Sequence, residues 1–177
     1  EVFLFDIDRN HVDAGLKMLS DEMDHEIERW GMTAAEKKAV FSRIKSHWDL
    51  NEAQDCPLVI ETIPEDLQLK RSLFARLDKI CPKETVFATN TSTLSITGVG
   101  AVTGRPDKVI GLHFLNPVPK IPMVEIVKGL KTSVDTYNKV SEFARSLGKT
   151  AVTVTEYPGY ITTRIIVPLL NEAMHVL

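Results

Sequence analysis

Six short apolar runs, separated by longer stretches of helical periodicity, constrain this chain more than any other feature of it. Residues 2–5, 58–61, 86–89, 109–114, 124–127 and 151–155 are too short for stable helices and apolar enough to be strands. Between them lie segments with the spacing of amphipathic helices. Residues 11–30 carry Leu16, Leu19, Met23, Ile27 and Trp30 on one stripe and stop at Gly31. A capping-box pattern, Thr33 with Glu36, opens a second helix predicted to run to about Trp48. The first two helices are expected to form an antiparallel hairpin projecting from the body.

Further along, residues 66–80 place Leu67, Leu69, Leu73, Leu77 and Ile80 inward and end before Pro82. A short helix is predicted near 94–99, and another over 134–147 with Gly148 as its C-cap. A last helix starts at about Tyr160, and Pro168 is expected to kink it. Strands alternating with helices predict an α/β fold on a mostly parallel sheet. Tyr157-Pro158-Gly159 punctuates the chain, so residues 1–156 are read as one domain and 157–177 as the start of a helical one.

Composition limits the partners. A net charge of −3 with no basic run beyond Lys37-Lys38 gives no reason to expect nucleic acid or an anionic membrane. No apolar run approaches the roughly eighteen residues that span a bilayer. Cys56 and Cys81 belong to no CxxC and have no His/Cys cluster beside them, so no metal site is expected and free thiols of a reducing cytoplasm are the default. The chain opens at Glu1 inside a strand and closes at Leu177 inside a helix, so it is expected to be cut at both ends.

The chemistry concentrates in Gly111-Leu112-His113-Phe114-Leu115-Asn116-Pro117, followed by Met123-Val124-Glu125-Ile126-Val127. Burying His, Asn and Glu among such neighbours costs several kcal/mol unless they bind one another or a ligand, roughly 2–7 kcal/mol for an unpaired polar group. A carboxylate on the adjacent strand can hold one imidazole nitrogen and leave the other free as a base. Asn90-Thr91-Ser92-Thr93 follows a strand, where α/β sheets put ligand-contacting loops. Ser92, His113 and Glu125 equally read as an acyl hydrolase or thioesterase triad, although Ser92 lacks a G-x-S-x-G context.

Asp6 ends the first strand. In a dinucleotide-binding fold an acid there accepts from the adenosine ribose 2′-OH and disfavours a 2′-phosphate, although a turn or capping aspartate is an equal reading. Arg9 nearby would soften that preference. No GxGxxG precedes Asp6, and Gly98, Gly100 and Gly104 read as loop glycines. That absence keeps a non-catalytic binding module open as a third reading.

Together these motifs and their spacing resemble the L-3-hydroxyacyl-CoA dehydrogenase family, in particular its bacterial members acting on 3-hydroxybutyryl-CoA. The resemblance implies a Rossmann-type, doubly wound, mostly parallel sheet that here lacks its first strand and glycine loop. It further implies a helical hairpin insertion and the first helix of a C-terminal dimerisation and substrate domain. NAD is the implied cofactor, an acyl-CoA the substrate and a homodimer the assembly. By resemblance His113 is the general base taking the 3-hydroxyl proton, Glu125 its partner, and Ser92 a substrate and cofactor contact. Glu65, Lys70 and Asn116 match cofactor contacts, although Glu65 and Lys70 alone read as an exposed helix pair. Thr163 stands where the family has a substrate-orienting Asn. With these departures the chain alone is expected to be inactive.

Overall fold

The computed structural model describes residues 1–176, which divide into two compact units, Glu1–Gln54 and the chain from Asp55 onward.

In the first unit β1 (Val2–Phe5) pairs in parallel with β2 (Ile44–His47), Val2 opposite Ile44 and Phe5 opposite His47. The crossover between them is a helix pair, α1 (Arg9–Glu28) and α2 (Ala34–Phe41). Asp8 starts α1 by accepting from the His11 amide. Thr33 and Glu36 close the predicted capping box at α2, each accepting from the other's amide.

The expected helix over 33–48 is corrected here. It ends at Phe41, where Ser42 Oγ and Arg43 Nε both bond back to the Ala39 carbonyl. Ile44–His47 then becomes a strand because β1 offers it a ladder of backbone partners. The two helices of the expected pair therefore lie between two parallel strands, with Lys37 of the second bonded to Asp24 of the first at 2.6 Å. His47 packs between Phe3 and Phe5, with ring centroids at 5.2 and 5.4 Å.

The second unit is a five-stranded sheet in the order β3 (Leu58–Glu61), β4 (Val86–Thr89), β5 (Val109–Phe114), β6 (Met123–Lys128) and β7 (Thr150–Thr155). Every pairing is parallel except β5 with β6. Side chains alternate across the sheet with the two-residue period of a strand. Ala88, Ile110, Leu112, Val124 and Ile126 face α5 (Val134–Ser146), meeting its Val140 and Ala144 in one sealed cluster. The opposite face meets α3 (Leu67–Ile80) and α4 (Ile96–Gly100), where Phe74 packs edge-on against Phe87 at 5.6 Å. Each such buried side chain contributes on the order of 1.5–3 kcal/mol.

Helices on both faces of a mostly parallel sheet are the doubly wound α/β arrangement expected from the sequence. Arg105 ties off the C-terminal end of α3 through Asp78 Oδ1 at 2.7 Å and the carbonyls of Asp78, Cys81 and Pro82. Cys56 and Cys81 are buried free thiols whose pKa burial pushes up. After β7 the chain turns through Gly159 and Tyr160, both at positive φ (81° and 48°), into α6 (Thr162–Val176). That helix begins two residues later than the predicted Tyr160 and includes Pro168. No helix among the described residues is long and apolar enough to cross a membrane.

Candidate active site

The antiparallel register of β5 and β6 sets His113 directly opposite Glu125. Both point to the face that carries α3 and α4, since Leu112, Val124 and Ile126 face the other way. His113 Nδ1 lies 2.6 Å from Glu125 Oε2, with the histidine 8% exposed and the glutamate fully buried. The second oxygen, Oε1, accepts from the Ile161 amide at 3.1 Å, the Thr162 amide at 2.9 Å and the Thr162 hydroxyl at 3.0 Å.

Burial pushes the Glu125 pKa up. The hydrogen bonds from His113, Thr162 and Ile161 outweigh it and hold the carboxyl below its ordinary range. An ionised Glu125 accepts only, so the proton of a neutral His113 sits on Nδ1. Among the described residues none hydrogen-bonds Nε2, which keeps its lone pair for an incoming group. The Tyr160 ring approaches the imidazole edge-on, with centroids 5.6 Å apart. Tyr160 is itself buried. Desolvation, with the charges of Glu65, Glu156 and Glu125, drives its phenol pKa well upward.

The loop after β4 is held by one carboxylate oxygen. Glu65 Oε1 accepts from Thr91 Oγ1 at 2.5 Å, the Ser92 amide at 3.1 Å, the Thr93 amide at 3.2 Å and Thr93 Oγ1 at 2.9 Å. Partial burial raises the Glu65 pKa, but these bonds and the Lys70 charge carry it below the usual value. Asn90 Oδ1 accepts from the Phe114 amide at 2.8 Å and so ties the ends of β4 and β5 together. Tyr160 reaches the same loop by donating its hydroxyl to the Leu94 carbonyl at 3.4 Å.

Lys70 differs from the reading as half of an exposed pair. It is 1% exposed, and Nζ donates to Glu61 Oε1 at 2.6 Å and the Ile63 carbonyl at 3.0 Å, with Glu65 Oε2 at 3.5 Å. Glu61 also accepts from the Ile63 amide and, through Oε2, from Thr89 Oγ1, both at 2.6 Å. Burial of a Lys costs too much without such partners.

Of the residues singled out from the sequence, His113 with Glu125 and Ser92 with Glu65 and Lys70 come together in this unit. Ser92 is half-buried and enters through its amide. Among the described residues its hydroxyl has no bond to His113. Asn116 is exposed in the turn after β5, where the Asn116-Pro117 peptide is cis. Thr163 lies half-buried in the first turn of α6. Sequence reasoning missed Glu61, Tyr160, Ile161 and Thr162. The one signal for Glu61 was an acid closing an apolar strand.

Asp6 belongs to the other unit, exposed at the C-terminal end of β1, with Oδ1 accepting from the Ile7 amide at 2.7 Å. An exposed carboxylate at the end of a parallel strand fits a ribose hydroxyl pair. Arg9 is engaged elsewhere, 3.5 Å from Asp13 and 5.9 Å from the Trp48 ring centroid. No glycine fingerprint for a pyrophosphate lies within residues 1–177, so these residues fit only the adenosine-ribose end of a dinucleotide.

Comparison with known proteins extends this picture. Residues 1–157 match the family model described as 3-hydroxyacyl-CoA dehydrogenase, NAD binding domain. The chain is 42% identical over 174 residues to a probable 3-hydroxybutyryl-CoA dehydrogenase of Bacillus subtilis, covering 98% of this chain and 61% of that protein. It is 39% identical over 163 residues to the 3-hydroxybutyryl-CoA dehydrogenase of Clostridioides difficile, covering 92% of this chain and 58% of that one. The crystal structure of (S)-3-hydroxybutyryl-CoA dehydrogenase PaaH1 from Ralstonia eutropha superposes with a TM-score of 0.93 at 36% identity, over 98% of this chain and 61% of that one. The chain thus spans about three fifths of the length of such relatives, 58–61%.

Proposed function

From the premise that this chain belongs to the 3-hydroxyacyl-CoA dehydrogenase family, we propose that it forms the NAD-binding and base-carrying part of an oxidoreductase interconverting (S)-3-hydroxyacyl-CoA, 3-hydroxybutyryl-CoA in particular, and 3-oxoacyl-CoA. The observation that carries this reading is the buried His113–Glu125 pair with Nε2 left free. In the oxidation direction Nε2 takes the proton of the 3-hydroxyl. The imidazolium so formed is stabilised by the ionised Glu125 at 2.6 Å. Bound NAD supplies the acceptor for the hydride that leaves the same carbon.

Ser92 is assigned to the substrate 3-oxygen and the neighbouring cofactor, on a loop held by Glu65. Glu65, Lys70 and Asn116 border the cofactor in this reading, with Lys70 acting through its grip on Glu61 and Glu65. Asp6 selects NAD over NADP by repelling a 2′-phosphate, and Thr163 takes over part of the orienting role of the family Asn. A homodimer and a cytoplasmic setting complete the proposal, the latter supported by the two free cysteines. Residues 1–177 alone are expected not to turn over substrate. The hydrolase alternative draws no support from Ser92, which is bound through its amide to Glu65 Oε1 at 3.1 Å.

The test uses the protein encoded in full by its gene, with acetoacetyl-CoA and NADH followed at 340 nm. The expected result is NADH oxidation that falls by about 10²–10⁴-fold in kcat on His113→Ala, with NADH affinity nearly unchanged. An unaltered kcat in that variant rules out His113 as the base.

A further inference from the structure

The turn that starts α6 reaches back into the site at one atom. Glu125 Oε1 receives the Ile161 amide, the Thr162 amide and the Thr162 hydroxyl, while Oε2 serves His113 Nδ1. Glu125 has no access to water, so every lone pair it keeps must be satisfied by the protein. We propose that Thr162 is a positioning residue for His113, its hydroxyl and amide holding the Glu125 carboxylate in the orientation that keeps the proton on Nδ1.

The reason lies in the tautomer. A buried carboxylate short of donors takes up a proton. A protonated Glu125 would donate to Nδ1, and the imidazole proton would then sit on Nε2, where a base needs its lone pair. The amides of Ile161 and Thr162 belong to the backbone and stay in any variant. The hydroxyl of Thr162 is the one donor of the set that a side-chain substitution removes. Its anchoring is sound: Gly159 at φ 81° and Tyr160 at φ 48° fix the turn, and the buried Tyr160 ring packs on His113 from the same segment. The titratable groups facing the pair are Tyr160 on the turn and, around its hydroxyl, Glu65 and Glu156. None of them changes in the variants below.

This inference rests on the base reading of His113. Thr162→Val, nearly isosteric, is compared with Thr162→Ser in the full-length protein. Thr162→Val is expected to lower kcat/KM roughly tenfold or more, the worth of a hydrogen bond to a charged group. It is also expected to move the acid limb of the pH profile of kcat/KM to higher pH, because Glu125 now protonates more readily. Thr162→Ser restores the wild-type limb. In parallel, imidazole ¹⁵N shifts at neutral pH should show His113 moving from Nδ1–H towards Nε2–H in Thr162→Val alone. If Thr162→Val does not fold, Thr162→Ala is measured in its place.

A lower rate with an unmoved acid limb and an unchanged ¹⁵N pattern overturns the positioning role. If His113→Ala is active, the base reading itself has failed. If His113→Ala is dead and Thr162→Val has a wild-type profile, only the inference about Thr162 has failed.

Discussion

Lys70 Nζ donates to Glu61 Oε1 at 2.6 Å with both side chains sealed from solvent, at 1% and 0% exposure. The pair joins α3 to the end of β3, and the bond from Thr89 Oγ1 to Glu61 Oε2 extends it to β4. Removing one partner strands the other as an uncompensated buried charge. Lys70→Ala is therefore expected to lose about 3–5 kcal/mol in urea unfolding. Adding Glu61→Gln should recover much of that loss, since the remaining group is neutral and still accepts from the Ile63 amide. A loss below about 1 kcal/mol for Lys70→Ala would show that the pair is not buried in solution.

Glu65 gives a pH-dependent counterpart. Its folded-state pKa is lowered, so its contribution is present above the unfolded value of about 4.3 and fades as pH falls through the lower folded value. Hydrogen-exchange protection of the Ser92 and Thr93 amides should hold from neutral pH down to that region and disappear below it. Glu65→Ala should remove the protection at every pH. Amides that stay protected in Glu65→Ala would mean that the loop is held by something else.

The sequence alone revealed the parts of this site that depend on local pattern. Strand runs are legible because each is a short, nearly continuous apolar stretch between segments of helical spacing, and His113 and Glu125 stand out as lone polar groups inside apolar strands. What escaped depends on tertiary register. The run Ile44–His47 became a strand only because β1 was available to pair with it, a contact 42 residues away that periodicity does not encode. Lys70 looks like any surface lysine on an amphipathic helix until Glu61, nine residues earlier, is turned towards it by the strand-to-helix connection. Thr162 carries no signal of its own, since its partner Glu125 is 37 positions away and is met only across the turn at Gly159 and Tyr160.

Gly111 tests the packing behind the site. A Cβ added there would stand 2.8 Å from Val127 Cβ and 2.9 Å from Ile96 Cδ1, closer than packed atoms tolerate. Val127 and Ile96 are both fully enclosed, so neither has room to yield. Gly111→Ala is expected to cost about 1–3 kcal/mol by overpacking. Because Gly111 lies two residues before His113 on the same face of β5, the strain should also broaden or shift the His113 ring resonances. A thermal midpoint equal to that of the parent would refute the close approach of α4 to β5.

Glu125→Gln separates the charge of the pair from its shape. The amide has nearly the volume of the carboxylate, and its oxygen can still accept at the Ile161 and Thr162 donors. Oriented that way, its NH₂ group faces His113 Nδ1 and forces the neutral ring to carry its proton on Nε2. The base is then present but pointing the wrong way. An Asp→Asn change in Ser-His-Asp proteases costs about 10⁴ in kcat through the same tautomer reversal, and a loss of that order is expected here. Stability should change far less than activity, since the Ile161 and Thr162 donors and His113 Nδ1 all keep a partner. A kcat within about tenfold of the parent would mean that Glu125 serves the fold and not the imidazole, and the role given to Thr162 would fall with it.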